Sequence, residues 1–395
     1  MLKRETIQKF GIYNIVLLFF FLSDSVFEIT LPIYLLSLGH SFSEIGVMVA
    51  TFGIGITIFR FFVSMHSDKV GRKIYIIISL IGSAIACFIL PFGNSIWCFM
   101  VILVMRGACR GAFLAVRAPL IKDICTENER GKMLGLVSSF STVGSALGGV
   151  ISGWLYFENH VWVLYFIIGF VYLLSAIITL LFLPENKAVA NKSSKNEKRE
   201  ANTQVITKIK SIPKAILILC SVNFVQNVVT PPLWSMILPI YFTSVIGIPM
   251  KLMGIVFTMD NILGVPSSLV GGIWADKNDY KRKCIMLYLI CSILAFLFPS
   301  QKNPIIFTLV ILLFMTIFSL NSPILEKIES ISARDNESGF DLGLISASVA
   351  LGNALGSVLF GVIIDSFGFI LAYILIGLGY MIMSLLLSRI KVPIK

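Results

Sequence analysis

The chain of 395 residues is divided into long runs without charge, separated by short charged segments. The uncharged windows are residues 74–105, 133–157, 159–184, 215–250, 284–301, 303–325, 342–364 and 366–388. A helix that crosses a bilayer needs roughly 20 mostly apolar residues, so each window suits at least one crossing. The pattern therefore predicts membrane-spanning helices.

Two of these windows and three further segments set the number of helices. Window 74–105 contains Pro91, Gly93 and Asn94, which are typical of a tight turn, so it predicts two helices. Window 215–250 predicts one long helix interrupted by a pair of prolines. Three apolar segments with a few charges are 11–38, 43–65 and 250–275. Together they predict an all-α membrane protein with twelve transmembrane helices.

The amino-acid composition agrees with this prediction and excludes some classes of protein. Hydrophobic residues make up 57% of the chain and charged residues 13%, with a mean hydropathy of +0.91. Because a soluble domain is about a quarter charged, the chain cannot form an ordinary water-exposed surface. Twelve crossings also use up its length, which excludes a large catalytic domain outside the membrane.

The basic residues predict the orientation of the spans. Of the 32 Lys and Arg, two fall in predicted outer loops and four inside spans, and the others lie on one side. Basic residues near span ends stay cytoplasmic, so we expect both termini inside a plasma membrane. The net charge of +11 then belongs beside the membrane, and no nucleic acid is expected as a partner.

The sequence also predicts two related halves. A polar segment, 186–212, separates a six-helix bundle at 1–185 from another at 213–395. Shifting the sequence by 208 positions pairs Asp68 with Asp276, Lys69 with Lys277, Gly144 with Gly352, Gly148 with Gly356 and Tyr172 with Tyr380. Both halves have the same predicted sidedness, which indicates parallel repeats with a site between them at mid-membrane.

The turn after the second span carries a recognisable motif. The segment SMHSDKVGRK, residues 64–73, resembles the pattern G-x-L-a-D-r-x-G-r-K of the major facilitator superfamily of secondary transporters. Asp68, Gly71, Arg72 and Lys73 match it, and Asp276 marks a second copy. The resemblance implies a fold of two parallel six-helix bundles and a gating role for these residues. The alternative is that this segment is an ordinary turn whose Lys and Arg only reflect the enrichment of basic residues on the cytoplasmic side.

The fifth span is rich in glycine. Gly144, Gly148 and Gly153 recur at a spacing that lets two helices approach closely in lipid. The run resembles the antiporter motif G-x-x-x-G-P-x-x-G-G of the same superfamily, with Gly149 at the proline position and Ser152 at a glycine position. The resemblance implies a part in gating, and helix packing alone is the alternative.

Opposite charges occur inside two spans of the first half. Asp24 and Glu28 share one face of the first span, and Arg106, Arg110 and Arg117 share one face of the fourth. A charge at the bilayer centre costs at least about 2.5–3.5 kcal/mol, so these groups should be paired or face a wet cavity. Three interpretations stay open: proton coupling, recognition of an anionic solute by the arginines, and a purely structural salt-bridge network.

The second half offers fewer candidates. Asn223, Asn227 and Trp234 lie on one side of the seventh span and suit an amphipathic organic solute. With Tyr34 they are the predicted solute contacts, beside Arg106, Arg110 and Arg117. Asp260 has no basic partner at its depth and is a further candidate for proton coupling, with Asp24, Glu28, Arg106 and Arg110.

These features predict a transporter and not an enzyme. The chain has no GxxxxGK[ST] segment for ATP, no nucleophile with a base, and no cysteine or histidine spacing typical of a metal site, so no cofactor is expected. We expect proton-coupled export of a small organic solute, anionic or amphipathic, by a monomer in the lipid bilayer. The alternatives are multidrug efflux without anion preference and a proton-independent facilitator or importer of an organic anion.

Overall fold

The computed structural model describes residues 4–124, 130–156, 160–183, 212–277, 279–301, 303–334 and 337–390. Nearly all of these residues are helical, and none of them lies in a strand. The helices are α1 Arg4–Ser37, α2 Phe42–Val70, α3 Arg72–Ile89, α4 Ile96–Ile124, α5 Arg130–Leu155, α6 Val161–Phe182, α7 Lys214–Val245, α8 Met250–Ala275, α9 Tyr280–Leu297, α10 Pro304–Ser332 and the run Ser338–Ser388. The predicted linker 186–212 lies outside the described residues except for its last position.

The final helical run is two membrane-spanning helices. Eleven helices in the described ranges are long and apolar enough to cross a membrane, and the last of them has 49 residues. Gly368 interrupts it with φ 78° and ψ 179°, a conformation open to glycine. Before this break, the contacts of Gly352 and Gly356 advance along α7 in its chain direction, so this part runs parallel to α7. After the break, the contacts of Tyr373 and Tyr380 advance in the opposite direction, so the second part runs antiparallel to α7. The two parts are α11, residues 338–367, and α12, residues 369–388. The twelve crossings predicted from the hydrophobic pattern are therefore present.

Equivalent contacts occur in both halves. Lys73 Nζ donates to the carbonyl of Leu180 at 2.8 Å, and Lys281 Nζ donates to the carbonyl of Ser388 at 3.0 Å. Each lysine binds the C-terminal carbonyls of another helix, the end that the helix dipole makes negative. The same 208-residue offset relates the contact of Phe88 with Gly169 to that of Phe296 with Gly377. The sequence repeat is thus a repeat of packing.

Helix α7 is widened in its second half. It is α-helical through Pro232 and then contains two π-helical segments, Leu233–Ile237 and Tyr241–Val245. Proline has no N–H group and its ring clashes with the carbonyl four residues earlier, so the proline pair prevents a regular ladder here. The sequence predicts an interrupted helix, and the interruption takes the form of π turns, which are frequent at functional sites.

Among the described residues, the glycine contacts between the two halves cluster toward one end of the molecule. We call the end that carries the turns 69–73 and 277–283 the basic end, and the other the opposite end. Toward the opposite end, Gly46 of α2 faces the carbonyl of Ser357 of α11, and Gly153 of α5 faces the carbonyl of Met250 of α8. Nearer the basic end, three glycines of α5, α8 and α11 have open space beside them: Gly135, Gly272 and Gly343. The described glycine contacts thus join the halves toward the opposite end, and we expect the space between the halves to open at the basic end.

Glycines also set the packing of α4 against α2. A β-carbon at Gly107 would overlap the carbonyl oxygen of Phe52, and one at Gly111 would overlap that of Ile56. Gly55 of α2 meets α4 in the same way. These backbone contacts fix the rotation of α4, which decides the direction of the side chains next to each glycine.

A pair of glycine substitutions tests this seam. We expect Gly107→Ala to destabilise the protein by about 1–3 kcal/mol, because an added β-carbon would overlap backbone that cannot move independently. Gly135→Ala is the matched control, since its β-carbon meets open space and alanine favours a helix by about 1 kcal/mol. The measurement is thermal unfolding of both variants in detergent. Equal unfolding temperatures would contradict a close α2–α4 seam.

Candidate functional site

A buried ion pair joins α1 and α4. Arg106 Nη2 lies 2.5 Å from Asp24 Oδ1, and the side chains are 0% and 2% exposed. The same Nη2 donates to the phenol oxygen of Tyr172 on α6. Three helices of the first half are thus tied together around one guanidinium. A charge this deep is stable only with a partner, because removing either ion from water is costly.

Aromatic rings enclose the rest of this guanidinium. Arg106 Cζ lies 5.1 Å from the ring centroids of both Phe27 and Tyr172. Its Nε and Nη1 atoms have no hydrogen-bond partner among the described residues. Ring faces attract a cation within about 6 Å, so they supply part of the stabilisation that these donors lack.

A second arginine connects the buried pair to a more open carboxylate. Arg110 Nε lies 3.1 Å from Asp24 Oδ2, and Arg110 Nη1 forms an ion pair with Glu28. The exposed fraction of the side chain is 19% for Arg110 and 38% for Glu28. Asp24 is therefore shared by two guanidiniums, and Glu28 is the acid of this group that solvent can reach.

The rotation of α4 explains this arrangement. Gly107 and Gly111 lie against α2, and each follows directly after an arginine of the network. Successive residues of an α-helix are about 100° apart, so packing the two glycines on α2 turns Arg106 and Arg110 toward α1. Gly144 and Gly148 of α5 bring that helix close to α1 as well.

Glu28 and Arg110 line a cavity between the two halves. The cavity has two adjoining lobes of about 230 and 350 Å³. Both are lined by Glu28, Arg110, Pro231 and Ser235, which come from α1, α4 and α7. Side chains of both halves therefore meet at this site, at the position expected for a solute between parallel repeats.

The larger lobe combines aromatic and polar side chains. Phe21, Trp234 and Phe257 provide its rings, and Asp24 and Asp260 are among its polar residues. Asp260, on α8, makes no hydrogen bond or ion pair with any residue in the described ranges. The lobe thus has an unpaired carboxyl group beside aromatic surface.

Several predicted solute contacts lie outside the two lobes. Tyr34 is buried near the opposite end, where its ring packs against Tyr165 at 5.5 Å. Arg117 lies nearer the basic end, with Cζ 5.3 Å from the ring of Phe21. Asn223 donates to Glu329 Oε1 at 2.6 Å, and Asn227 donates to the backbone carbonyl of Asn223 at 2.9 Å. Trp234 is the predicted contact of the second half that lines a lobe. Their roles in binding stay predictions.

The predicted gating residues occupy both ends of the molecule. Gly71 joins α2 to α3 with φ 103°, and Arg72 begins α3. Asp276 accepts from Lys327 Nζ at 3.3 Å. The backbone of α2 continues past Asp68, whose side chain lies outside the described residues. Gly144 and Gly148 pack α5 on α1, and Gly153 packs it on α8.

The sequence did not single out several cavity residues. Ser235, Phe257, Asn261 and Asn353 line the lobes without any charge or motif that would mark them. Tyr172 could have been found, since it recurs as Tyr380 at the repeat offset. Tyr380 shares a hydrogen bond of 2.9 Å with the hydroxyl of Thr230 on α7.

Comparison with known proteins identifies the family. The sequence profile of the Major Facilitator Superfamily matches residues 14–340. This range covers most of the chain, and the chain belongs to that superfamily.

Its relatives include resistance proteins of bacteria. The chain is 29% identical to the quinolone resistance protein NorA of Staphylococcus aureus over 197 residues, 50% of this chain and 49% of NorA. It is 23% identical to the class B tetracycline resistance protein of Escherichia coli over 327 residues, 81% of this chain and 79% of that protein. The match to NorA thus spans about half of that protein.

Solved structures agree in fold. The nucleoside transporter NupG superimposes with a TM-score of 0.79 at 13% identity, covering 98% of this chain and 100% of NupG. The xylose transporter XylE of Escherichia coli, in an inward open conformation, has a TM-score of 0.71 at 17% identity, covering 97% and 96%. At these identities the likeness shows the fold alone.

Neutralising the two acids of the network should have unequal effects on stability. We expect Asp24→Asn to lower the free energy of unfolding by about 3–5 kcal/mol, because it leaves Arg106 charged and buried without a counterion. Glu28→Gln should cost clearly less, since Glu28 is partly solvated and Arg110 keeps Asp24 as a partner. Thermal unfolding in detergent compares the two. A larger loss for Glu28→Gln would mean that the pairing is not as described.

Proposed function

We propose that this protein is a proton-coupled exporter of an amphipathic organic solute, with Glu28 as the residue that carries the proton. Its family and structural neighbours are transporters, which leaves the coupling, the solute and the direction as the proposal. The observation that supports it best is that Arg110 bridges the buried Asp24 and the cavity-facing Glu28.

Protonation of Glu28 would change the ion pairs that Arg110 makes. A proton that reaches Glu28 through the cavity cancels its negative charge and removes its attraction for Arg110. Arg110 keeps Asp24 as its counterion, so neither arginine becomes unpaired in the membrane. Asp24, which is tied to two guanidiniums, then serves as the fixed anchor and Glu28 as the group that changes state. One proton that enters the cell down a membrane potential of 100 mV supplies about 2.3 kcal/mol for export.

The orientation of the cavity is compatible with export, and the relatives support this direction. We expect the cavity to open at the basic end, and the distribution of Lys and Arg predicts that this end faces the cytoplasm of a cell with the protein in its plasma membrane. In this conformation a solute would be loaded from the cytoplasm. The relatives named for quinolone and tetracycline resistance favour the same direction. We further propose that the protein works as a monomer, with both termini cytoplasmic.

The walls of the larger lobe suit an amphipathic solute. Its rings can stack on flat apolar surface, and Ser235 and Asn261 can form hydrogen bonds. Arg106 and Arg110 are already paired with carboxylates, whereas Asp260 has no ion-pair partner among the residues that the structure describes. We therefore favour a neutral or cationic solute over an anionic one.

Transport of an organic anion is the second candidate. It is favoured by Arg110, which lines both lobes and whose side chain is partly exposed. A carboxylate or phosphate could replace Glu28 on this group by bidentate hydrogen bonds. Such a solute would compete directly with the proposed proton carrier for the same arginine.

The gating residues complete the proposed cycle. We propose that Asp68 caps the start of α11 when the basic end closes, with Gly71, Arg72 and Lys73 shaping the turn, and that Asp276 acts equivalently in the second half. The glycine contacts of α5 at Gly144, Gly148 and Gly153 would let this helix move against α1 and α8 without a bulky side chain in the way.

Transport in proteoliposomes tests the coupling. We expect the wild-type protein to move a fluorescent amphipathic solute when a pH gradient is imposed, and the Glu28→Gln variant to lose this response because its side chain cannot exchange a proton. Glu326→Gln, an exposed acid near the basic end of α10, is the control and should respond normally. Uptake that persists after an ionophore collapses the gradient, or in Glu28→Gln, would count against the proposal.

A pair of ions of equal shape tests the charge of the solute. We expect tetraphenylphosphonium to raise the unfolding temperature more than tetraphenylborate, and Asp260→Asn to weaken tetraphenylphosphonium binding roughly tenfold, about 1.4 kcal/mol. Asp279→Asn, on the exposed turn before α9, is the control for loss of one acid. Stronger stabilisation by tetraphenylborate would instead favour the organic anion.

A further inference from the structure

The start of α2 is only half capped by its own sequence. The first backbone N–H groups of a helix have no partner within it. Ser41 and Glu44 form a capping box, in which Glu44 N donates to Ser41 Oγ at 3.2 Å and Ser41 N donates to Glu44 Oε2 at 3.1 Å. The N–H groups of Phe42 and Ser43 lie between these two and need another acceptor.

That acceptor comes from the other half of the molecule. Phe42 N donates to Asp365 Oδ1 at 3.0 Å, and Ser43 N donates to Asp365 Oδ2 at 2.7 Å. The hydroxyl of Ser43 also donates to Asp365 Oδ2. One carboxylate near the end of α11 thus completes the cap of α2 and faces the positive end of its dipole.

The packing of the two helices explains why Asp365 meets this point. Gly46 of α2 lies against Ser357 of α11, and Gly361 of α11 lies against Phe42 of α2, so the helices run antiparallel. Each helix therefore ends beside the start of the other. Three residues after Asp365, the chain reverses at Gly368, which keeps the carboxylate at the opposite end of the molecule.

We propose that Asp365 is a positioning residue that holds the opposite end closed, and that breaking its three hydrogen bonds is part of opening that end. Asp365 lies outside both cavity lobes and acts on the solute only through α2. The inference rests on transport by alternating access, but not on proton coupling or on the identity of the solute.

The same helix pair carries a carboxylate at its other end. Asp68 stands near the end of α2, on the stretch of that helix that leads toward the start of α11 at the basic end. With the gating role proposed for Asp68, one antiparallel pair would have a cap at each end, made in alternate conformations. The role of Asp365 is independent of this symmetry, because its bonds are present in the conformation described.

Distance measurements between spin labels test the role of Asp365 without any transport assay. In a variant whose seven cysteines are replaced, one labelled pair, Leu38→Cys with Val245→Cys, reports on the opposite end. A second pair, Met65→Cys with Leu342→Cys, reports on the basic end. All four positions are exposed, so labels should not disturb the packing. Double electron–electron resonance then gives the populations of open and closed distances at each end.

We expect Asp365→Ala to reduce the ratio of closed to open molecules at the opposite end about fivefold, the effect of losing an ordinary helix cap. The basic-end distances should shift in the reverse sense, toward shorter values. Asp365→Glu, which keeps the carboxylate, should restore part of the closed population, and Ser43→Ala, which removes only the hydroxyl bond, should have a smaller effect than Asp365→Ala.

Asp279→Asn is the control for removing an exposed acid and should leave both distance distributions unchanged. Unchanged ratios in Asp365→Ala, or broadening at both ends together, would overturn the proposal, the second outcome because it indicates a purely structural role. If Asp365→Ala does not fold, Asp365→Asn and Ser43→Ala decide the question by the same ratios. Failure of gradient-driven transport with normal shifts in these distances would count against the proton proposal alone.

Discussion

The guanidinium of Arg106, held away from water at mid-membrane, is the constraint on which the first half is built. A charge in this position is stable only if the surrounding helices provide a counterion, a hydrogen-bond acceptor or other favourable contacts for it. Asp24 supplies the counterion, Tyr172 an acceptor, and aromatic rings the remaining contacts. Helices α1, α4 and α6 are thereby fixed relative to one another, and the network continues outward through Arg110 to Glu28 at the cavity.

The order of exposure along this network is the feature that supports its proposed use as a site. A purely buried salt bridge has no access to protons or solute, and a purely exposed one is weak because water screens it. Here the same chain of ion pairs has a dry end at Arg106 and a solvated end at Glu28. Widened helix α7 provides the facing wall with Pro231 and Ser235, so groups from both halves surround the solvated end.

The proposed movement of the two halves would depend on many contacts, each of them weak. Glycine positions bring α2 near α11 and α5 near α8 at the opposite end, where backbones touch and side chains contribute little. Lipid offers no hydrophobic force to hold such helices together, so close packing and a few hydrogen bonds decide which end is closed. In that setting the hydrogen bonds of an exposed carboxylate such as Asp365 form part of the few polar contacts between the halves.

The sequence alone determined the number of spans, the repeat, the family motifs and the presence of opposite charges on the first and fourth spans. These follow from local rules: hydrophobic runs of bilayer length, helical periodicity, and the cost of charge in lipid. The repeat offset of 208 residues even anticipated equivalent contacts, such as those of Lys73 and Lys281.

Only the tertiary structure decided which charges pair, which acid faces the cavity, and toward which end the glycine contacts join the halves. Asp24 and Glu28 lie on one face of one helix, and no local pattern distinguishes them; their depth relative to α4 and the cavity does. Ser235, Asn353 and Asp365 carry no motif, and they matter because distant helices bring them to α1, α2 and the cavity. Pairing and exposure depend on distances between segments far apart in the chain, which helical periodicity does not contain.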